Sequence, residues 1–450
     1  MRSRVLPSAA MTRCPSPSSA WLKTVHVVPA LAPTVLALTL TLAACATQAP
    51  PSATSQAPAQ PASTAKPAVV PTSPGMTAAD AITAPLPVPQ PPSAEVRAAF
   101  VAETASKYGL DPAYIESMLD RAQIRDSTFT AMSRPAETKP WRDYRPIFIT
   151  QARIDGGQAF LAEHRAQLAR VEAATGVPAE IIVSIIGVET SFGKNTGKYS
   201  VVDALYTLAF AYPRSGDPAK ADRENRREAF FRGELAQLFA LGKEEQIDIT
   251  TLIGSYAGAM GWGQFMPSSY REFAVDGNAD GKRNLFTDLD DVFFSVANYF
   301  VKKGGWVRGG PVTVRANRDA TAQDFVPESM DPVYSLSDLA ARGYRPLGTV
   351  APTETATLLN LDGVNGPEYW LGFRNFYAIT RYNISKHYAM AVYQLAEAIA
   401  GRENPLATDI ATPPAALAQP AAPAGNAAAG KAPAANAPAA NAVHAWTGGA

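Results

Sequence analysis

Cysteine is nearly missing from this chain: among 450 residues only Cys14 and Cys45 carry a thiol, both near the N-terminus. That excludes a disulfide framework and a zinc site built on several cysteines. Histidine is scarce too, with four in all. His26 and His444 lie near the two ends, which leaves His164 and His387 for any imidazole chemistry. Charge of one sign is not in excess, since Lys and Arg number 40 and Asp and Glu 40. No net field therefore draws the chain to nucleic acid. A phosphate-binding glycine loop is also missing. The apolar run at 35–44, about ten residues, is too short for a comfortable membrane span.

What is present at the N-terminus reads as an export signal. Arg2, Arg4, Arg13 and Lys23 precede the apolar run, which ends in Leu42-Ala43-Ala44-Cys45. Small residues before a cysteine resemble the bacterial lipobox, in which the cysteine is acylated and becomes the new N-terminus. Residues 1–44 are thus expected to be removed and Cys45 lipidated, although cleavage of an ordinary signal near Ala44 gives the same pattern. Ala46 after the cysteine suggests the periplasmic face of the outer membrane. Several acyl chains on one residue anchor stably where a single chain does not.

Composition divides the rest. Residues 45–93 are mostly Pro, Ala, Ser, Thr and Gln, which cannot bury enough apolar surface to order themselves. Residues 403–450 return to an Ala/Pro-rich tail. Between them, 94–402 carries mainly helical periodicity. Asp111-Pro112 is a helix start. A helix is expected from about Gln158 to Ala174, stopping at Gly176. Pro178 opens another, Ile181-Ile182-Val183-Ser184-Ile185-Ile186-Gly187-Val188, which is apolar on every face and so should be buried. Further helices are expected near 201–212, 223–242, 268–274, 288–303 and 385–400. Strand-like pieces at 312–315 and 355–361 mark a small β subdomain near 308–375. The fold class is mainly α (α+β).

Glu189 ends the buried helix. Apolar surroundings disfavour a carboxylate, and so does the partial negative charge at a helix C-terminus; both raise its pKa, as a general acid near neutral pH requires. Taken alone, the same residue could be a surface glutamate at a fraying end. Asp203 is the obvious second carboxylate, yet Ser200-Val201-Val202-Asp203 has the spacing of a capping box before an apolar helical run.

The residues around Glu189 narrow the choice. Gly187-Val188-Glu189-Thr190-Ser191-Phe192-Gly193, then Asp203-Ala204-Leu205 and Tyr212-Pro213-Arg214, resemble the membrane-bound lytic murein transglycosylase B family, of the lysozyme-like superfamily. The long run 254–270, from Gly254-Ser255-Tyr256 to Ser268-Ser269-Tyr270, carries the resemblance further. So do Ser295-Val296-Ala297-Asn298-Tyr299, Ile379-Thr380-Arg381-Tyr382-Asn383 and His387-Tyr388-Ala389-Met390. The ordered matches span about 140–395.

That resemblance implies a lysozyme-like fold and cleavage of peptidoglycan glycan strands between N-acetylmuramic acid and N-acetylglucosamine. Glu189 would act first as acid on the glycosidic oxygen and then as base on the muramic C6 hydroxyl, leaving a 1,6-anhydro sugar. No cofactor is required. The resemblance also implies substrate contact at Tyr144, Ser255, Gln264, Tyr299, Tyr382, Asn383 and Tyr388. Arg214 could meet a peptide or lactyl carboxylate, or form a structural ion pair. Gly258, Gly261 and Gly263 would let the backbone approach a sugar. The segment from Asp276 to Asn284 resembles the start of an EF-hand loop, with Asp276, Asn278, Asp280 and Lys282 as ligands. Its twelfth position is Thr287, so Asp291 or Asp290 would close a longer loop around a structural calcium.

Two patterns are set aside. Ser191-Phe192-Gly193-Lys194 fits the Ser-x-x-Lys of penicillin-recognising enzymes, but that serine opens a helix and Ser191 follows one. Glycosidases commonly need two carboxylates. Without a convincing partner for Glu189 the sequence agrees with intramolecular attack. A water-using muramidase and a non-catalytic peptidoglycan-binding lipoprotein remain as alternatives.

Overall fold

Ser93 caps the first described helix, its hydroxyl accepting from Val96 N. The computed structural model describes residues 88–133 and 139–402; the expected signal segment, Cys45, most of the expected linker and the tail from 403 lie outside the described residues. Helix α1 (Ala94–Tyr108) ends at Gly109 in the left-handed conformation. Asp111 caps α2 (Pro112–Arg121), accepting from Ala113 N. α3 (Asp126–Met132), α4 (Trp141–Phe148), α5 (Gln151–Glu163) and α6 (Arg165–Thr175) follow.

The single helix expected over 158–174 is therefore two. The chain turns at His164, whose ring packs 4.4 Å from Phe160 and 5.7 Å from Phe293 instead of pointing to solvent. An aromatic drawn into the core at this point takes its own backbone out of helical geometry, to φ −102° and ψ 19°.

Helix α7 (Ala179–Thr190) begins one residue after Pro178, and every side chain from Ile181 to Thr190 is buried. It lies against α5, α6, α11 (Leu289–Tyr299) and α14 (Lys386–Ile399), which wrap it on several sides. A helix so enclosed must be apolar all round, as its sequence is. Ser191, Phe192 and Gly193 then take left-handed φ values of 50°, 60° and 76° in succession, which stops the helix at Thr190. The Phe192 ring folds back over Gly187, where a Cβ would stand 2.8 Å from it.

Strand β1 (Tyr199–Ser200) pairs antiparallel with β2 (Ile253–Gly254) and stitches the segment after α7 to the glycine-rich loop that follows β2. Between them run α8 (Val201–Phe210) and the long α9 (Ala221–Glu244), packed together. Helix α10 (Pro267–Phe273) lies on α9. Beyond α11, a π-helical turn, Phe300–Gly304, leads into the β subdomain.

Its five strands are β3 (Thr313–Arg318), β4 (Tyr334–Ser335), β5 (Tyr344–Pro346), β6 (Thr355–Gly363) and β7 (Gly366–Gly372), with helix α12 (Leu336–Ala341) between β4 and β5. The order β4-β6-β7-β3-β5 is antiparallel throughout. Leu339, Tyr344, Leu358, Leu371 and Phe373 give the subdomain a small core of its own, apart from the main helical core. Helix α13 (Arg374–Tyr382) returns the chain to α14. Among the described residues no single helix is long and apolar enough to cross a membrane.

Candidate active site

Glu189 sits one residue before the end of α7 and is 3% exposed. Burial pushes its carboxyl up to about 8, against the opposing pull of a hydrogen bond from Tyr388. The Tyr388 hydroxyl donates to Oε1 at 2.5 Å, while Oε2 is buried without a partner. A buried polar atom left unsatisfied in this way is uncommon and calls for a reason. Because the group is neutral below about pH 8, it can hold a proton on Oε2 near neutrality.

A shell of tyrosines surrounds the carboxyl. Tyr382 donates to Gly263 O at 2.6 Å, and Tyr299 donates to Arg381 O at 2.8 Å with its ring 4.9 Å from that of Tyr382. Burial first, and the charge of Glu189 second, hold the phenols of Tyr382 and Tyr388 well above their usual value, so both remain donors. Thr190 joins α7 to the glycine-rich loop by donating to Trp262 O. Gln264, at φ 51°, donates to Thr196 O and Gly261 O.

Gln264, Tyr299, Tyr382 and Asn383 belong to the wall of one cavity of about 1060 Å³, between α9, α10, the start of α14 and the 326–331 and 357–360 segments of the β subdomain. Glu189 and Tyr388 are not themselves in that wall. They stand next to it, both within electrostatic reach of its wall residue Tyr382. The Asn383 Oδ1 is buried without a partner.

Asp203 has both carboxyl oxygens engaged within the fold. Its oxygens accept from Gln123 N at 2.9 Å and Arg125 Nε at 2.7 Å, tying α8 to the turn between α2 and α3. Only half of the expected capping box forms: Ser200 Oγ accepts from Asp203 N, but the aspartate does not reach back. Glu234 of α9 lines the cavity, yet Ser268 occupies both its oxygens, through Oγ at 2.6 Å and N at 2.9 Å. His387 is neutral at working pH, because burial and neighbouring Lys386 push it down to about 4.

Residues 93–397 match the transglycosylase SLT domain family. The membrane-bound lytic murein transglycosylase B of Escherichia coli K12 is 42% identical over 311 residues, 67% of this chain and 81% of that protein. The chain belongs to the lytic murein transglycosylase B family. Among solved structures, the soluble lytic transglycosylase SltB1 of Pseudomonas aeruginosa is 48% identical, covering 68% of this chain and 98% of that one, with a TM-score of 0.60. The Escherichia coli lytic transglycosylase Slt35 in complex with calcium is 42% identical, covering 68% and 93%, also at 0.60.

Not every expected contact of this lytic transglycosylase meets at the cavity. Tyr144 is half-buried beside it, 5.6 Å from the His387 ring and close enough to raise Tyr388. Ser255 is turned into its own loop, its Oγ accepting from Ala257 N and Ala259 N. Arg214 lies outside the cavity wall, pairing with Glu228 at 2.6 Å and Asn225 at 2.9 Å. The glycines serve protein packing rather than open space. A Cβ at Gly258 would meet the Leu205 side chain at 2.4 Å, at Gly261 the Leu285 carbonyl at 2.5 Å, and at Gly263 the Tyr382 hydroxyl at 2.8 Å.

In the loop after α10, the donor set is all oxygen, suited to a hard cation. Asp291 is buried, and its carboxyl is raised by burial and by the nearby charges of Asp288 and Asp276. The oxygens turn to main-chain N–H groups, however. Asp276 accepts from Asp280 N and Gly281 N, Asn278 from Asp280 N, Asp280 from Lys282 N, and Asp291 from Gly277 N and Asn284 N. Among the described residues no acidic cluster converges on one point. The donor chemistry fits calcium, and the loop would have to exchange some of these bonds for the ion.

Proposed function

We propose that Glu189 alone carries the acid and base chemistry by which this enzyme cleaves the β-1,4 bond between N-acetylmuramic acid and N-acetylglucosamine in peptidoglycan. The supporting observation is the half-satisfied carboxyl. Tyr388 occupies Oε1, burial keeps the group protonated near neutral pH, and Oε2 is left without a protein partner. The Oε2 proton goes to the glycosidic oxygen as the C1–O4 bond breaks. The resulting carboxylate takes the proton of the C6 hydroxyl on the same muramic acid, and O6 bonds to C1. The acid is thereby restored and no water is consumed. An attacking group held within the same sugar has a large proximity advantage. The engagement of Asp203 and Glu234 elsewhere supports this over a two-carboxylate route.

Gln264, Tyr299, Tyr382 and Asn383 are the substrate contacts we assign to the cavity, with Tyr388 orienting the acid. Tyr144 supports Tyr388, Ser255 shapes the loop before Gln264, and Arg214 braces α9. Calcium, when bound, would be held by the side chains of Asp276, Asn278, Asp280 and Asp291 and by the main-chain carbonyl of Lys282, as a staple for the loop before α11. A cell-envelope location is supported by the membrane-bound relative. Lipidation of Cys45 at the periplasmic face of the outer membrane remains our reading of the first 45 residues, as does the division at 44, 93 and 402. Mass spectrometry of digested peptidoglycan tests the activity. New muramic ends in 1,6-anhydro form support it, and reducing ends would return the chain to the muramidases.

A further inference from the structure

Arg153, in the first turn of α5, meets no carboxylate among the described residues. Its Nη1 donates to the Ile147 and Phe148 carbonyls at 2.7 and 3.1 Å, and its Nη2 to Ser191 Oγ at 3.2 Å. The guanidinium lies over the Phe148 ring at 5.5 Å, and burial lowers its hold on the proton. Arg97, Arg125, Arg214 and Arg271, by contrast, all pair with carboxylates. A desolvated cation without a counter-charge costs free energy, and the first turn of a helix presents it with positive charge. Part of that cost is offset at the end of α4, whose last carbonyls lack helical partners and favour a cation. The third hydrogen bond, to Ser191, leads to the acid.

Arg153, Gly156, Gly157 and Phe160 are spaced i, i+3, i+4 and i+7, so they share one face of α5. That face lies on the two residues that follow Thr190. Arg153 holds the Ser191 hydroxyl, a Cβ at Gly156 or Gly157 would stand 3.2 or 3.3 Å from the Phe192 ring, and the Phe160 ring is 5.6 Å from it. Ser191 and Phe192 keep φ values of 50° and 60°, a conformation that costs such residues free energy and persists where the surroundings impose it. In this conformation their N–H groups close on Gly187 O and Ile186 O and end α7 directly after the turn that carries Glu189. The Phe148 end of the clamp belongs to α4, whose Tyr144 acts by charge on Tyr388.

We infer that Arg153 is a positioning residue for Glu189: it locks the left-handed turn at Ser191 to α4 and α5, and so fixes the last turn of α7 against Tyr388. This rests on the reading of Glu189 as the acid. The action is mechanical and not electrostatic, since burial and the Tyr388 hydrogen bond account for the raised carboxyl, and the titratable groups facing it are Tyr388 and Tyr382.

The test follows turnover of peptidoglycan by the full chain across pH, at temperatures where each variant is folded. Arg153→Met should lower kcat about ten- to a hundredfold, the scale of a small misplacement of a reacting group, and leave KM near its wild-type value. As water gains access to the loosened carboxyl, the alkaline limb of the pH–rate profile should move down from about 8. Arg153→Lys keeps the charge without the planar fork and should fall between. Ser191→Ala, the milder change, should carry part of the loss, and combining it with Arg153→Met should add nothing further. A lower thermal midpoint with kcat and the limb unchanged would leave Arg153 a cap for α4 and overturn the inference, as would an upward limb or additive losses in the double variant. Glu189→Gln, assayed alongside, separates the two readings. Turnover retained there would sink the acid itself, whereas turnover lost there but kept in Arg153→Met and Ser191→Ala would sink only the positioning role.

Discussion

The Tyr388 hydroxyl and the Glu189 carboxyl are joined by a 2.5 Å hydrogen bond that uses one carboxyl oxygen and leaves the other buried and unpartnered. The two residues are 199 positions apart, brought together because α14 lies along α7. Burial raises the proton affinity of the carboxyl and that contact moderates it, which together set the expected pH dependence of the enzyme. Glu189 must be protonated to act as acid, and burial holds its carboxyl at about 8. Activity should therefore fall as pH rises through about 8. Tyr388 pulls the value down, so Tyr388→Phe should move the alkaline limb of the pH–rate profile upward, by roughly half to one pH unit. A downward move would contradict the assignment.

The same burial makes stability depend on pH. Below the ordinary carboxyl value of 4.5 both folded and unfolded chains hold the proton, whereas between 4.5 and about 8 only the folded chain does. Unfolding then releases a proton, so this group's contribution to stability is full below 4.5 and is lost as pH rises toward 8. Glu189→Gln removes that slope. Above pH 8 the variant should be the more stable protein, by on the order of a few kcal/mol, in denaturant titrations run across pH.

Asp203→Asn separates the single-acid mechanism from a two-carboxylate one. The side chain holds Arg125 and Gln123 N, so its loss should cost about 1–3 kcal/mol of stability. Turnover should stay near wild type at temperatures where the variant is folded. Loss of turnover without loss of stability would make Asp203 part of the chemistry.

How far these roles could be read from the sequence differs from one to the next. Helix α7 was legible because a helix enclosed on all sides must be apolar throughout, and Glu189 interrupts that run at its end. Asp111-Pro112 and Gly176 marked their helix ends by local chemistry alone. The turn at His164 was not legible, since it depends on Phe293, far along the chain. Two strands of the sheet were visible in 312–315 and 355–361. β4 and β5, with two and three residues, are too short to show a period. Asp203 illustrates the limit most clearly: its spacing from Ser200 suggested a capping box, but Arg125, 78 residues earlier, takes the carboxylate.

Gly261 tests the packing of the loop. Its φ is 71°, and a Cβ would stand 2.5 Å from the Leu285 carbonyl, a backbone atom that cannot move aside cheaply. Gly261→Ala should cost roughly 2–4 kcal/mol and lower activity through displacement of Gln264. Gly309→Ala has a similar φ of 69° but nothing within 4 Å, and should cost only about 1 kcal/mol. Equal costs would show that strain alone, without the close approach, explains the glycine.

Calcium should raise the thermal midpoint without changing the products. At free calcium a hundredfold above its dissociation constant the gain would be about 2.7 kcal/mol. Asp276→Asn and Asp291→Asn should each diminish it. A midpoint that ignores calcium would leave the loop held by the main-chain hydrogen bonds of Asp276 and Asp291 alone.

The central claim, that Glu189 cleaves the strand with no water entering the product, is tested most directly by digesting peptidoglycan in isotopically labelled water. The wild type should release 1,6-anhydromuramic ends that carry no label, and Glu189→Gln should release about 10²–10⁴-fold less product or none. Labelled reducing ends, or unimpaired release by Glu189→Gln, would contradict it.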